Sequence, residues 1–78
     1  MMGHQVILKR MGDTVDSVVV VEWLVTVGDK VTVGDALVRV ETDKVEVDVE
    51  SPFAGTVTAL TVAVGEEVAT GSPICTIE

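Results

Sequence analysis

An all-β domain is what this sequence predicts: a flattened barrel or sandwich of two antiparallel sheets related by an internal pseudo-twofold axis. Three observations carry the prediction. Nineteen valines and nine threonines in 78 residues, with one Trp, one Phe and no Tyr, favour strands, because β-branched side chains are stiff in a helix and pack well on a pleated surface. Residues 27–41 and 64–78 repeat each other at an offset of 37, with five of fifteen positions identical and Asp29/Glu66, Leu37/Ile74 and Val40/Ile77 exchanged conservatively. Residues 45–50 alternate valine and acid without a break, the period of a half-buried strand. A chain this short supports one small core. Neither half could bury an apolar face alone, so the halves are expected to pack on each other as interleaved sheets.

The elements follow in order. Residues 1–5, opening Met1-Met2-Gly3-His4, are expected to be a disordered or cloning-derived lead, with a single domain over 6–78. Strands are expected near Val6–Arg10, Val18–Val25, Ala36–Thr42, Val45–Glu50, Gly55–Thr61 and Pro73–Glu78. Gly28 and Gly34 match Gly65 and Gly71 in the repeat, marking tight turns that need a positive φ. Each glycine pair brackets a valine-centred segment too short to be more than an edge strand. The alternation of Val45, Val47 and Val49 with Glu46, Asp48 and Glu50 assigns a core face and a solvent face, and Ser51-Pro52 ends the strand because proline lacks the ladder N–H. Val38 and Val40 point inward in the same way, with Arg39 and Glu41 outward. The two alternating strands therefore form a hairpin whose tip holds Asp43 and Lys44.

The charge pattern narrows the function. Thirteen acids against five bases give a net charge of −8, which disfavours nucleic acid and anionic membrane surfaces and suits a partner with basic patches. The longest apolar run, Val18–Val21, is far too short to span a bilayer. No signal or basic transit segment is expected before the first strand. A single cysteine makes no internal disulfide, consistent with a reducing compartment.

Lys44 is singled out. It is the only basic residue from 40 to 78, a stretch that carries eight acids, and it falls at the hairpin tip with water on nearly all sides. Pseudosymmetry would place that tip opposite the chain ends, a geometry that suits a carrier whose load must enter other active sites.

The other candidates resolve to packing or solvation. Cys75 matches inward Val38 in the repeat and has no histidine nearby, so it reads as a small buried hydrophobe. His4 is the only histidine, and no Cys/His metal site can be assembled. Glu41, Asp43, Glu46, Asp48 and Glu50 lack the glycine-pinned loop that would converge their oxygens on calcium. Trp23 shares a strand face with Val21 and Val25 and is expected to pack on the core.

The run Glu41-Thr42-Asp43-Lys44-Val45, followed by Ser51-Pro52-Phe53-Ala54-Gly55 and preceded by Val21-Glu22-Trp23-Leu24-Val25 and Val27-Gly28-Asp29, resembles the lipoyl domain of 2-oxo acid dehydrogenase complexes, borne on their dihydrolipoamide acyltransferase component. The resemblance runs from about Val6 to Ile77. It implies that Lys44 is joined by an amide to lipoate, with Thr42, Asp43 and Val45 as the hairpin neighbours, and that the domain is a swinging-arm carrier with no catalytic residue or metal of its own. Implied partners are a lipoate ligase or transferase, a thiamine-dependent 2-oxo acid decarboxylase, the acyltransferase core with coenzyme A as acceptor, and dihydrolipoyl dehydrogenase. The implied compartment is a bacterial cytoplasm or a mitochondrial matrix.

After its first strand the family often carries a Met-Pro-x-Leu-Gly-type segment, where this chain reads Leu8-Lys9-Arg10-Met11-Gly12-Asp13, without the proline. The loop there helps choose the cognate decarboxylase in the family, which assigns partner recognition to Gly12, Asp13, Thr14, Val15, Asp16 and Ser17. The related biotinyl domain usually flanks its lysine with methionines, whereas the flanks here are Asp43 and Val45. Biotin on a carboxylase carrier is the alternative load. A non-carrier β-sandwich module docking a basic partner through its acidic face is the alternative class.

Overall fold

In a computed structural model of the protein, residues 3–9 and 16–78 are described and form two four-stranded antiparallel sheets without a helix. The strands are β1 (His4–Ile7), β2 (Ser17–Trp23), β3 (Lys30–Val31), β4 (Ala36–Glu41), β5 (Glu46–Glu50), β6 (Gly55–Leu60), β7 (Glu67–Ala69) and β8 (Pro73–Ile77). One sheet has the order β1-β8-β6-β3 and the other β5-β4-β2-β7. Mapping β1 to β5, β2 to β6, β3 to β7 and β4 to β8 converts one order into the other, which is the expected pseudo-twofold relation.

The sequence repeat has its physical counterpart in matched hydrogen bonds. Gly28 N–H donates to the Val57 carbonyl and Gly65 N–H to the Val20 carbonyl, both at 2.7 Å, and Asp29 and Glu66 receive the return bonds from Val57 and Val20. The turn before each edge strand is closed by an acid, with Asp29 Oδ2 accepting from Thr26 N–H at 2.9 Å and Glu66 Oε1 from Ala63 N–H at 3.1 Å. The four repeat glycines have φ between 90 and 100°, a region where a Cβ is strained. β3 and β7 are the short edge strands that the glycine spacing predicted.

The core is largely valine: Val6, Val18, Val20, Val31, Val38, Val40, Val49, Val57 and Val68 are buried, joined by Leu8, Leu37, Ile74, Cys75 and Ile77. Leu37 and Val38 are buried in succession, as are their repeat mates Ile74 and Cys75, because a register shift in the β4–β5 ladder passes over Leu37 and one in the β1–β8 ladder passes over Ile74, breaking the two-residue period. Trp23 packs against this core after a register shift between Val20 and Glu22, and its indole N–H donates to the Val62 carbonyl at 2.9 Å.

Three expectations need correction. His4 and Gln5 were placed in a disordered lead but belong to β1, paired with Ile77 and Thr76, and the His4 ring stacks on Phe53 at 4.7 Å. The first strand was expected over Val6–Arg10, but it ends at Ile7, with Arg10 outside the described residues. Ile7 lies opposite Pro73, which has no N–H to give, and Leu8 instead exchanges hydrogen bonds with Gly71 and Ser72 in the turn after β7. Val45, Val47 and Val49, expected to share one inner face, are not equally buried: Val49 is 7% and Val45, just before β5, 58% exposed, with Val47 between. The hairpin thus extends past the end of the facing sheet.

Candidate hairpin-tip site

Lys44 lies where β4 turns into β5. The last ladder pair below the tip is Glu41 opposite Glu46, and Thr42 to Val45 make the connection. Thr42 organises it. Its Oγ1 accepts from the N–H of Val45 at 3.1 Å and of Lys44 at 3.3 Å, and its hydroxyl donates to the Val45 carbonyl at 2.9 Å. The Thr42 N–H reaches the same carbonyl at 2.8 Å. In an ordinary β-turn the fourth residue's N–H bonds the first residue's carbonyl; here that N–H goes to the first residue's hydroxyl. No described non-glycine residue has a positive φ, so Asp43 and Lys44 occupy the tip without the glycine that a type I′ hairpin favours.

The surroundings leave the amine accessible. Asp43, Lys44 and Val45 are all exposed. Among the described residues Lys44 makes no ion pair, whereas Arg39 is held at 3.1 Å by Asp48 and at 3.7 Å by Glu22 on the strands either side of β4. The hydrogen bond that Arg39 donates to Asp48, and next the Asp48 charge, raise the Arg39 pKa. That guanidinium is therefore committed to the middle of the sheet, and the exposed carboxylates of Glu41, Asp43 and Glu46 flank Lys44.

The tip also points away from the chain ends. β5 runs from the tip to Ser51, and two residues later Phe53 stacks on His4. Gly55, where β6 begins, lies against Glu78, and Thr56 and Glu78 exchange backbone hydrogen bonds at 2.7 and 2.8 Å. The base of the hairpin thus sits at the end where the described termini meet, and the length of β5, roughly 17 Å at about 3.3 Å per residue, separates them from Lys44. The molecule measures 36 × 20 × 19 Å.

Thr42, Asp43, Lys44 and Val45 lie together in the β4–β5 connection. Of the residues expected to choose the partner, Gly12, Asp13, Thr14 and Val15 lie outside the described residues, while Asp16 precedes β2 and Ser17 opens it. The Asp16 carbonyl accepts from Thr70 N–H at 2.9 Å, and Ser17 Oγ donates to Glu67 Oε2 at 3.0 Å. Because Val19 pairs with Glu41 in the β2–β4 ladder, extending the register sets Ser17 level with Asp43. The end of that loop and the Lys44 tip therefore share one end of the molecule. The sequence named Thr42 only as a neighbour; a threonine two residues before the lysine and four before the next strand was the available signal.

Cys75 is fully buried, and loss of solvation pushes its thiol up to about 11. It stays protonated and inert at neutral pH.

Comparison with known proteins agrees with this geometry. The Biotin_lipoyl family model, described as "Biotin-requiring enzyme", matches residues 4–77. The chain is 39% identical over 75 residues to the lipoamide acyltransferase component of the branched-chain alpha-keto acid dehydrogenase complex of Bacillus subtilis, covering 96% of this chain and 18% of that protein. It is 38% identical over 77 residues to the dihydrolipoyllysine-residue acetyltransferase component of the pyruvate dehydrogenase complex of Haemophilus influenzae, covering 99% of this chain and 13% of that protein. The chain thus spans less than a fifth of the length of either relative. Among solved structures, the lipoyl domain of the 2-oxoglutarate dehydrogenase complex from Azotobacter vinelandii superposes with a TM-score of 0.69 at 19% identity, over 100% of this chain and 96% of that one. A single-chain, multi-domain long-chain acyl-CoA carboxylase superposes with a TM-score of 0.78 at 23% identity, over 95% of this chain and 7% of that one. At such identities the superpositions speak for the fold alone. With its two pseudosymmetric sheets, an accessible lysine at the central hairpin and a family match over nearly its whole length, the chain belongs to the biotin/lipoyl attachment-domain family.

Proposed function

We propose that this chain is a lipoyl carrier domain, with lipoate joined by an amide to Lys44. The observation that carries the reading is the Lys44 amine: exposed, outside any ion pair among the described residues, and at a tip that the length of β5 separates from the described termini. An amide-linked arm fits that position, since nothing need be displaced to reach the nitrogen and the arm can sweep freely. The flanks Asp43 and Val45, and relatives named for lipoamide and dihydrolipoyllysine acyltransfer, favour lipoate over biotin.

In the modification step the Lys44 Nζ attacks the carbonyl of an activated lipoyl ester supplied by a lipoate ligase or transferase. One C–N bond forms, the C–O bond to the leaving group breaks, and a proton leaves the nitrogen. When bound, the group would supply a redox-active dithiolane, a cyclic disulfide that is reduced as it takes up an acyl group and is left as a dithiol once that group passes to an acceptor. The protein's share is presentation: the hairpin holds the attachment point clear of the sheets, and tethering raises the local concentration of the load, commonly to about the millimolar range. The partners that follow are a thiamine-dependent 2-oxo acid decarboxylase, an acyltransferase core using coenzyme A, and dihydrolipoyl dehydrogenase, in a bacterial cytoplasm or a mitochondrial matrix. The position of Asp16 and Ser17 beside the tip supports assigning Gly12–Ser17 to choice of the decarboxylase.

Co-expression with a lipoate ligase, and separately with a biotin ligase, followed by intact-mass measurement, tests the reading. A lipoyl-sized addition that is absent in Lys44→Arg, with the variant still folded by circular dichroism, is expected. A biotin-sized addition at Lys44 would replace lipoate by biotin, and no addition with either ligase would favour the acidic interaction module.

A further inference from the structure

We propose that Thr42 is a positioning residue for acylation of Lys44, acting through its hydroxyl on the backbone of the turn; this rests on reading Lys44 as the lipoate attachment point. The Thr42 hydroxyl makes three of the four hydrogen bonds that close the tip, two accepted from the N–H groups of Lys44 and Val45 and one donated to the Val45 carbonyl. Among the described residues it is the one side chain that hydrogen-bonds the peptide groups on both sides of Val45 and the one entering Lys44. The clamp works against a local strain. Glu41 and Glu46 stand directly opposite each other below it, a like-charge pair that tends to splay the strands. Branching at the threonine Cβ restricts χ1 and so helps aim the hydroxyl.

The consequence is for encounter geometry. Nζ sits at the end of a flexible four-carbon stem, and acylation requires it within about 3–3.5 Å of the activated carbonyl carbon. Wandering of the turn adds to wandering of the stem. A fixed backbone lets the modifying enzyme find this amine by place, while Lys9 and Lys30, on other elements, are ignored. The C–N bond formed, the C–O bond broken and the proton released are unchanged by Thr42, which touches neither the amine nor the lipoyl ester.

The test compares unmodified wild type, Thr42→Val and Thr42→Ser of the whole 78-residue chain as substrates for a lipoate ligase. Valine keeps the shape and removes the hydroxyl; serine keeps the hydroxyl. Thr42→Val is expected to lose about tenfold or more in kcat/KM, chiefly through kcat. Amide exchange at Lys44 and Val45 should quicken while the melting temperature stays within a few degrees. Thr42→Ser should restore both rate and protection. Wild-type kcat/KM in Thr42→Val, or a Thr42→Ser as slow as Thr42→Val, would overturn the proposal. A wild-type chain that accepts no lipoate overturns instead the attachment reading on which it stands.

Discussion

At the scale of single residues, isolation decides what each reactive group does. Lys44 and Cys75 carry the nucleophilic side chains of interest, and the fold treats them oppositely. The lysine is held out at a solvated tip, whereas the thiol is sealed among Val6, Leu60 and Ile77 neighbours of the β1-β8-β6 sheet. Sealing has a pH consequence. The Cys75 thiol ionises near 9.0 when free of the fold and near 11 within it, so its contribution to stability is fully present below about pH 9. Above that the unfolded chain ionises first, and the contribution is lost as pH rises toward the folded value. Urea unfolding at pH 8 and pH 10.5 should show an alkaline loss on the order of 2 kcal/mol that is absent in Cys75→Val. An identical alkaline loss in that variant would show that other groups cause it. Lys44 was legible from the sequence because its charge stood alone among acids. The hydroxyl of Thr42 was not, because a threonine before a turn is common and only the hydrogen-bond geometry distinguishes a clamp from a neighbour.

At the scale of elements, turns set the strands and their costs differ by cause. Gly34 and Gly71 are repeat mates with φ of 95 and 90°, and a Cβ at either would meet nothing within 4 Å. Alanine there adds backbone strain alone, and each is expected to lose about 1 kcal/mol, by similar amounts. Gly55 differs, since a Cβ would run into the Glu78 carbonyl oxygen and within 2.9 Å of the Ile77 side chain. Because that carbonyl accepts from Thr56 N–H, it cannot retreat without breaking a ladder bond. Gly55→Ala should therefore lose roughly 2–3 kcal/mol, and chemical denaturation of the three variants side by side checks the order. The glycine turns were readable from spacing. The close approach at Gly55 was not, because the obstructing residue is 23 positions away and arrives only when β6 and the chain end pair.

At the scale of the whole molecule, pseudosymmetry makes the two ends unequal in use. The central hairpin and the meeting of β1 with β8 are equivalent under the twofold relation, yet one carries an unbroken turn with Lys44 and the other brings the described termini together. That disposition leaves the Lys44 end clear of the described termini. It also keeps the charge asymmetric: with a net charge of −8, acylation of Lys44 removes one of few positive charges and makes the protein one unit more negative. The modified form should migrate faster toward the anode in a native gel at pH 8, and Lys44→Arg should show no such shift after incubation with the ligase. Equal mobility of modified and unmodified protein would place the acyl group elsewhere than on an amine.

The sequence by itself determined the all-β class, the repeat, the edge strands and the isolated lysine at a hairpin, since each is written in local composition, period and spacing. Tertiary structure alone decided that His4 and Gln5 belong to the sheet, that β1 ends opposite Pro73, that Val45 stands free beyond the facing sheet, and that Asp16 and Ser17 lie level with the Lys44 tip. The physical reason is common to all four: each depends on which strand lies alongside, and pairing between distant segments sets hydrogen-bond supply and burial that no local pattern contains.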